Sequence, residues 1–220
     1  MNDLTSNIFR SIETEDYVVL KLNSSNDTKE IVPEFDLLCN KIQIIKERII
    51  LAANYWINEK KIVKFKHDSP LHLYIDFFDN ENLILRLDLY EDFPILKNII
   101  LRNSFKDVVL KTRTRIELEG VALYTPKIEY DHLIRYVEYV ELFDKRNDKI
   151  KHLEYLEKSI SNPQDFFNAL HFFVKFPAPR TPNKRKINKD DIKDLIEKIK
   201  QTPIKQIVPK GIKFLKNVFT

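Results

Sequence analysis

The run Leu71-His-Leu-Tyr-Ile-Asp-Phe-Phe-Asp-Asn-Glu-Asn-Leu-Ile-Leu-Arg-Leu-Asp-Leu-Tyr90 alternates apolar and polar side chains on both sides of Asp79-Asn-Glu-Asn82, a cluster of turn-forming residues. Successive side chains of a strand point to opposite faces, so residues 71–78 and 83–90 are predicted to be the two arms of a β-hairpin. His72, Tyr74, Asp76 and Phe78 share a face of the first arm, and Ile84, Arg86, Asp88 and Tyr90 a face of the second. A loop with an odd number of residues, about three or five, makes these faces coincide and brings Leu73, Ile75 and Phe77 against Leu85, Leu87 and Leu89. A four-residue loop would set polar side chains against leucines. The odd register places Asp76 opposite Arg86 and Tyr74 opposite Asp88, so one carboxylate has a cation and the other is left available.

Upstream, residues 4–11 suggest a helix, and Tyr17-Val-Val-Leu-Lys-Leu22 has the β-branched and aromatic content of a buried strand. Residues 23–30, rich in Asn, Ser, Asp and Thr, are expected to be a loop. Pro33 leads into a strand, Glu34-Phe-Asp-Leu-Leu-Cys39, and Ile42, Ile45, Ile49, Ala52, Ala53 and Trp56 then recur at helical spacing within 41–59. A further strand is expected at 62–66.

Downstream, 104–111 suggests a short helix and the charged stretch 112–119 an exposed segment. Thr125-Pro126 looks like a helix start, with threonine at the cap and proline at the first position. Helices are also expected at 148–160 and after Asn162-Pro163. Pro177-Ala-Pro-Arg-Thr-Pro182 breaks the pattern and opens a basic segment with two short amphipathic stretches. The expected organisation is an α/β (α+β) domain over 1–124, a helical segment over 125–176 packed on it, and a proline-containing linker with a basic helical tail over 177–220.

Of 220 residues, 43% are hydrophobic and 32% charged, which is globular composition. The net charge of +4 is uneven: from Pro177 onward twelve Lys/Arg face four Asp/Glu, an excess of +8 that leaves −4 for the rest. The tail could therefore meet an anionic membrane surface or a protein partner. Nucleic acid is less favoured, because no aromatic stacking platform accompanies the lysines. The start Met1-Asn-Asp-Leu-Thr-Ser lacks a basic-then-apolar leader and no apolar run reaches the ~18 to 20 residues of a bilayer span, so a cytoplasmic protein is expected, with the tail allowing a peripheral position at the inner membrane face. The lone Cys39 is expected in the core. With only Gly120 and Gly211 in the chain, a glycine-rich phosphate loop is excluded, and with it Rossmann and P-loop sites. The five histidines, at 67, 72, 132, 152 and 171, show no metal-ligand spacing and are expected at the surface or half-buried.

Glu34 and Asp36 lie two apart on a strand, on one face and about 7 Å apart at the backbone. With Asp88 from another strand they form a set of oxygen donors suited to a pair of hard divalent cations, which would align a nucleoside triphosphate and an attacking oxygen. The plain alternatives are a solvated edge-strand face for Glu34 and Asp36, and a cation partner for Asp88.

Val18-Val-Leu-Lys21, Glu34-Phe-Asp-Leu-Leu38, His72-Leu-Tyr-Ile-Asp76 and Leu85-Arg-Leu-Asp-Leu-Tyr90 together resemble bacterial nucleotidyltransferase-fold proteins of the DNA polymerase β type. The resemblance covers about residues 17–176. It implies a mixed sheet with flanking helices, a glycine-containing turn after the first strand, and an Asp-x-Asp pair plus a third Asp serving Mg²⁺. Glu34, Asp36 and Asp88 match those catalytic and metal positions. No Gly-Ser pair follows Lys21, and Glu34 replaces the first Asp. Lys21, Ser24, Ser25 and Arg86 are the candidate phosphate contacts. Members of this kind in surface-polysaccharide loci imply a small acceptor such as a sugar or sugar phosphate. The competing expectation is a catalytically lapsed accessory protein on the same fold, engaging a partner or membrane through its helical half and tail; an antitoxin-type enzyme acting on protein or RNA is a third.

Overall fold

The computed structural model describes residues 3–22, 33–96, 99–142, 146 and 149–175. The expected loop at 23–30, with Ser24 and Ser25, and the basic tail lie outside them. The described chain is mixed α and β. It divides into two compact units, one of residues up to Pro94 with Lys106–Lys127, the other of Ile95–Phe105 with the residues from Ile128.

The first unit opens with helix α1 (Asp3–Ser11), then β1 (Tyr17–Leu20), β2 (Glu34–Cys39), α2 (Ile42–Ala53), β3 (Lys61–Ser69), β4 (His72–Asp79) and β5 (Asn82–Tyr90). The strands form one sheet in the order β1-β2-β5-β4-β3. The β2–β5 pair is parallel and its flanking pairs are antiparallel. A parallel pair needs a long crossover, which here contains α2 and the β3–β4 arm.

The hairpin has the predicted faces by an unexpected route. Its turn has two residues, Asn80 and Glu81, both with positive φ (48° and 70°), and Asp79 pairs with Asn82. Such a turn alone would oppose the polar faces to the leucines. A bulge restores the parity: Phe78 pairs with Leu83 and Phe77 with Leu85, so Ile84 is the extra residue. From there Asp76 stands opposite Arg86 and Tyr74 opposite Asp88.

One sheet face is the core. Leu73, Ile75, Phe77, Leu85, Leu87 and Leu89 are fully buried against Ile8 and Phe9 of α1 and Ile45 and Ile49 of α2. Each such side chain removed from water contributes about 1.5–3 kcal/mol before entropy. Cys39 joins this core, and burial pushes its thiol up to about 12. Helix α2 starts where the Ile42 N–H donates to the Glu91 carboxylate at 3.0 Å. It ends at Ala53, earlier than expected, because Asn58 accepts from the backbone N–H groups of Lys60 and Lys61 and launches β3.

Three further expectations need correction. The charged stretch after Thr112 is a strand, β7 (Thr114–Leu118), paired with β8 (Val121–Thr125) across a Glu119-Gly120 turn with both φ positive, although most of β7 is exposed as expected. Thr125 pairs with Thr114 in that hairpin instead of capping a helix. Two histidines, His132 and His152, are buried.

In the second unit, β6 (Ile100–Leu101) pairs with β9 (Val174–Lys175), and α3 (Ser104–Lys111) begins there and continues into the first unit. Helix α4 (Ile128–Leu142) packs against α5 (Ile150–Ser159) and α6 (Pro163–Phe173). The Asn162 side chain caps α6 by accepting from the Gln164 N–H. Helix α4 is buried continuously from Asp131 to Val137 and therefore carries charge into the interior. Arg135 answers Asp131 at 2.7 Å and lies over the Tyr155 ring, and His132 Nε2 meets Ser159 Oγ at 2.9 Å. Lys149 Nζ reaches Glu138 at 2.6 Å.

Candidate metal centre

The site lies on the sheet face opposite the leucines, in the middle of the five strands. Parallel pairing of β2 with β5 sets Glu34 beside Arg86 and Asp36 beside Asp88. Oxygens of Glu34, Asp36 and Asp88 lie within 4.8 Å of one another. The three carboxylates that the sequence singled out thus converge at one point.

Their surroundings differ. Glu34 is exposed, Asp36 half-buried and Asp88 only 5% exposed. Asp88 Oδ1 is buried without a hydrogen-bond partner among the described residues, while Oδ2 accepts a long 3.5 Å bond from the Tyr90 hydroxyl. Burial, and then the neighbouring charges of Asp36 and Glu34, push the Asp88 carboxyl up to about 7. Removing a charge from water and crowding it with like charges both favour the neutral form.

Asp76 is satisfied elsewhere. Arg86 donates to it through two nitrogens, at 2.7 and 2.8 Å, the bidentate geometry of the strongest carboxylate pairs. Arg86 thus neutralises Asp76, and Asp88 has no ion-pair partner among the described residues. Lys21, expected at phosphate, has its Nζ 2.5 Å from Asp36 Oδ2. It also leaves β1 with φ 53°, in the left-handed region that favours glycine.

An aromatic cluster borders the carboxylates. His72 stacks on Tyr90 with ring centroids 4.2 Å apart, and Tyr74, opposite Asp88 in the register, lies 4.3 Å from His72. Burial, then the Asp88 charge, raises the Tyr74 phenol above its ordinary value and keeps it a proton donor. The shared hairpin face pointed to these rings, but their mutual stacking had no signal in the sequence.

Three carboxylates on paired strands, one with a buried oxygen unpartnered among the described residues, form a donor set for a hard divalent cation. The donors fit Mg²⁺ in charge and type, and Glu34 Oε, Asp36 Oδ and Asp88 Oδ would be its protein ligands. No protein-family model matches the sequence, and no curated protein matches it.

Proposed function

We propose that the protein is a divalent-cation-dependent nucleotidyltransferase, moving a nucleoside monophosphate from a triphosphate to a small acceptor. The observation that carries this is the convergence of Glu34, Asp36 and Asp88 within 4.8 Å, with a buried carboxylate oxygen that has no other hydrogen-bond partner among the described residues. Mg²⁺ bound there would neutralise the phosphates and orient the attacking oxygen. The chain's part is to hold the three carboxylates in place on paired strands. The left-handed Lys21 supports the reading, since a backbone conformation that favours glycine stands directly after β1, where the resembling proteins have a glycine-containing turn. A sugar or sugar phosphate as acceptor rests on that resemblance.

The test is thermal denaturation with Mg²⁺ and each of the four common nucleoside triphosphates, followed by an assay for pyrophosphate release. A rise in the midpoint that needs both metal and nucleotide, and that Asp36→Asn abolishes, is the expected result. No shift with any triphosphate would overturn the proposal.

One contact favours a second reading, a lapsed site in which the fold serves as an accessory protein. The Lys21 ammonium sits on one of the two Asp36 oxygens and competes with a cation for that carboxylate. On this reading Mg²⁺ changes nothing, whereas Lys21→Ala lowers stability by up to about 1 kcal/mol, the value of a partly exposed ion pair.

A further inference from the structure

Strand β3 closes one edge of the five-stranded sheet. On that side its backbone N–H and C=O groups face no strand among the described residues, the arrangement that accepts an added strand. Its side chains sort by register. Val63 and Phe65 stand opposite Phe77 and Ile75 on the leucine face, and Lys64 and Lys66 stand opposite Asp76 and Tyr74 on the polar face.

The two sides of this edge differ in chemistry. On the leucine side, Val63 and Phe65 line a groove of about 240 Å³ with Ile49, Ile50, Ala53 and Ile57 of the α2 side. Ile50, Ile57 and Phe65 are all exposed there, at 38 to 43%. The groove is smaller than the ~300–1,000 Å³ of small-molecule sites and suits individual side chains. On the polar side Lys64 and Lys66 are exposed, resting over the rings of Phe78 and Tyr74. Neither has a carboxylate partner among the described residues, because Asp76, across from Lys64, is taken by Arg86.

We propose that the β3 edge docks an extended segment of a partner protein in which apolar and acidic side chains alternate. Its backbone adds a strand beside β3, its apolar side chains enter the groove beside α2, and its carboxylates lie over Lys64 and Lys66. Charge selects this occupant over a second copy of the chain. Two β3 strands paired antiparallel about Phe65 would set Lys64 of each copy against Lys66 of the other, and like charges directly opposite are destabilising. The lysines that disfavour this self-pairing are the groups that recognise an acidic strand.

The experiment is fluorescence anisotropy of the full chain with two labelled peptides matching β3 in length, one alternating valine and glutamate, the other valine and lysine. The glutamate peptide is expected to bind, more tightly as salt is lowered, and the lysine peptide not. The charge reversal Lys64→Glu with Lys66→Glu should invert the preference. Phe65→Ser should weaken binding of the glutamate peptide about tenfold or more, as loss of a central apolar anchor does. Circular dichroism of both variants, altered only at exposed positions, checks that they fold. Equal binding of the two peptides, no binding of the glutamate peptide, or sedimentation showing a dimer that Phe65→Ser dissolves would each overturn the proposal. None of these results bears on the carboxylate site, which lies on β2 and β5.

Discussion

Asp88 holds its proton to about pH 7 because its folded environment penalises the charge more than water does. In the unfolded chain the same group titrates near the ordinary value of about 4. A carboxyl with a raised folded pKa adds stability fully below the unfolded value, and that stability is lost as the pH rises through the folded one. Asp88→Asn removes this dependence. The stability of the variant relative to wild type should therefore climb between about pH 4 and pH 7 and then level off, by an amount on the order of a few kcal/mol. Urea denaturation across that range measures it, and a flat difference would show that Asp88 is solvated. Mg²⁺ should oppose the effect in the wild type alone, since a cation needs the ionised form. That Arg86 takes Asp76 and not Asp88 was legible in the sequence, because strand parity sets Asp76 opposite Arg86. The burial of His132 was not anticipated. Its signal was the dense apolar setting of Leu133, Ile134, Tyr136 and Val137, within which Asp131 and Arg135 are spaced to pair on one helix face.

At the scale of elements, turn chemistry and pairing separate what a sequence discloses from what it withholds. The β4–β5 hairpin was readable from alternation, yet its turn was not, since Asn80-Glu81 lacks the glycine that a two-residue turn with positive φ favours. A residue other than glycine held in that conformation costs about 1 kcal/mol or more. Glu81→Gly should therefore stabilise the protein by about 1 kcal/mol, seen as a higher urea midpoint at unchanged slope. A loss of stability would mean that the Glu81 side chain supports the turn. The opposite case is β7–β8, where Glu119-Gly120 did carry the turn signal but the charges of β7 masked the strand. A half-exposed strand needs apolar residues on one face only, and β8 supplies Val121 and Leu123 to the core. The β2–β5 pairing had no local signal at all. It joins residues about fifty positions apart, and the convergence of Asp36 with Asp88 depends on it.

Across the whole chain, the two compact units carry buried titratable groups whose acid responses have opposite sign. Asp88 in the first unit contributes more stability as the pH falls. His132 in the second has its pKa lowered, by burial first and then by Arg135, against the opposing pull of Asp131. A histidine kept neutral by the fold contributes stability present above the unfolded value of about 6.5 and lost as the pH drops through the folded one. In the wild type the two trends offset each other, and a single stability profile between pH 5 and pH 7 would look flatter than either. The Asp88→Asn background separates them. There, denaturant unfolding should show stability falling as the pH goes from about 7 to about 5, and adding His132→Gln should flatten that fall while leaving values above pH 7 without further slope. If the acid loss persists after the His132 substitution, its source is a buried group other than the imidazole that meets Ser159.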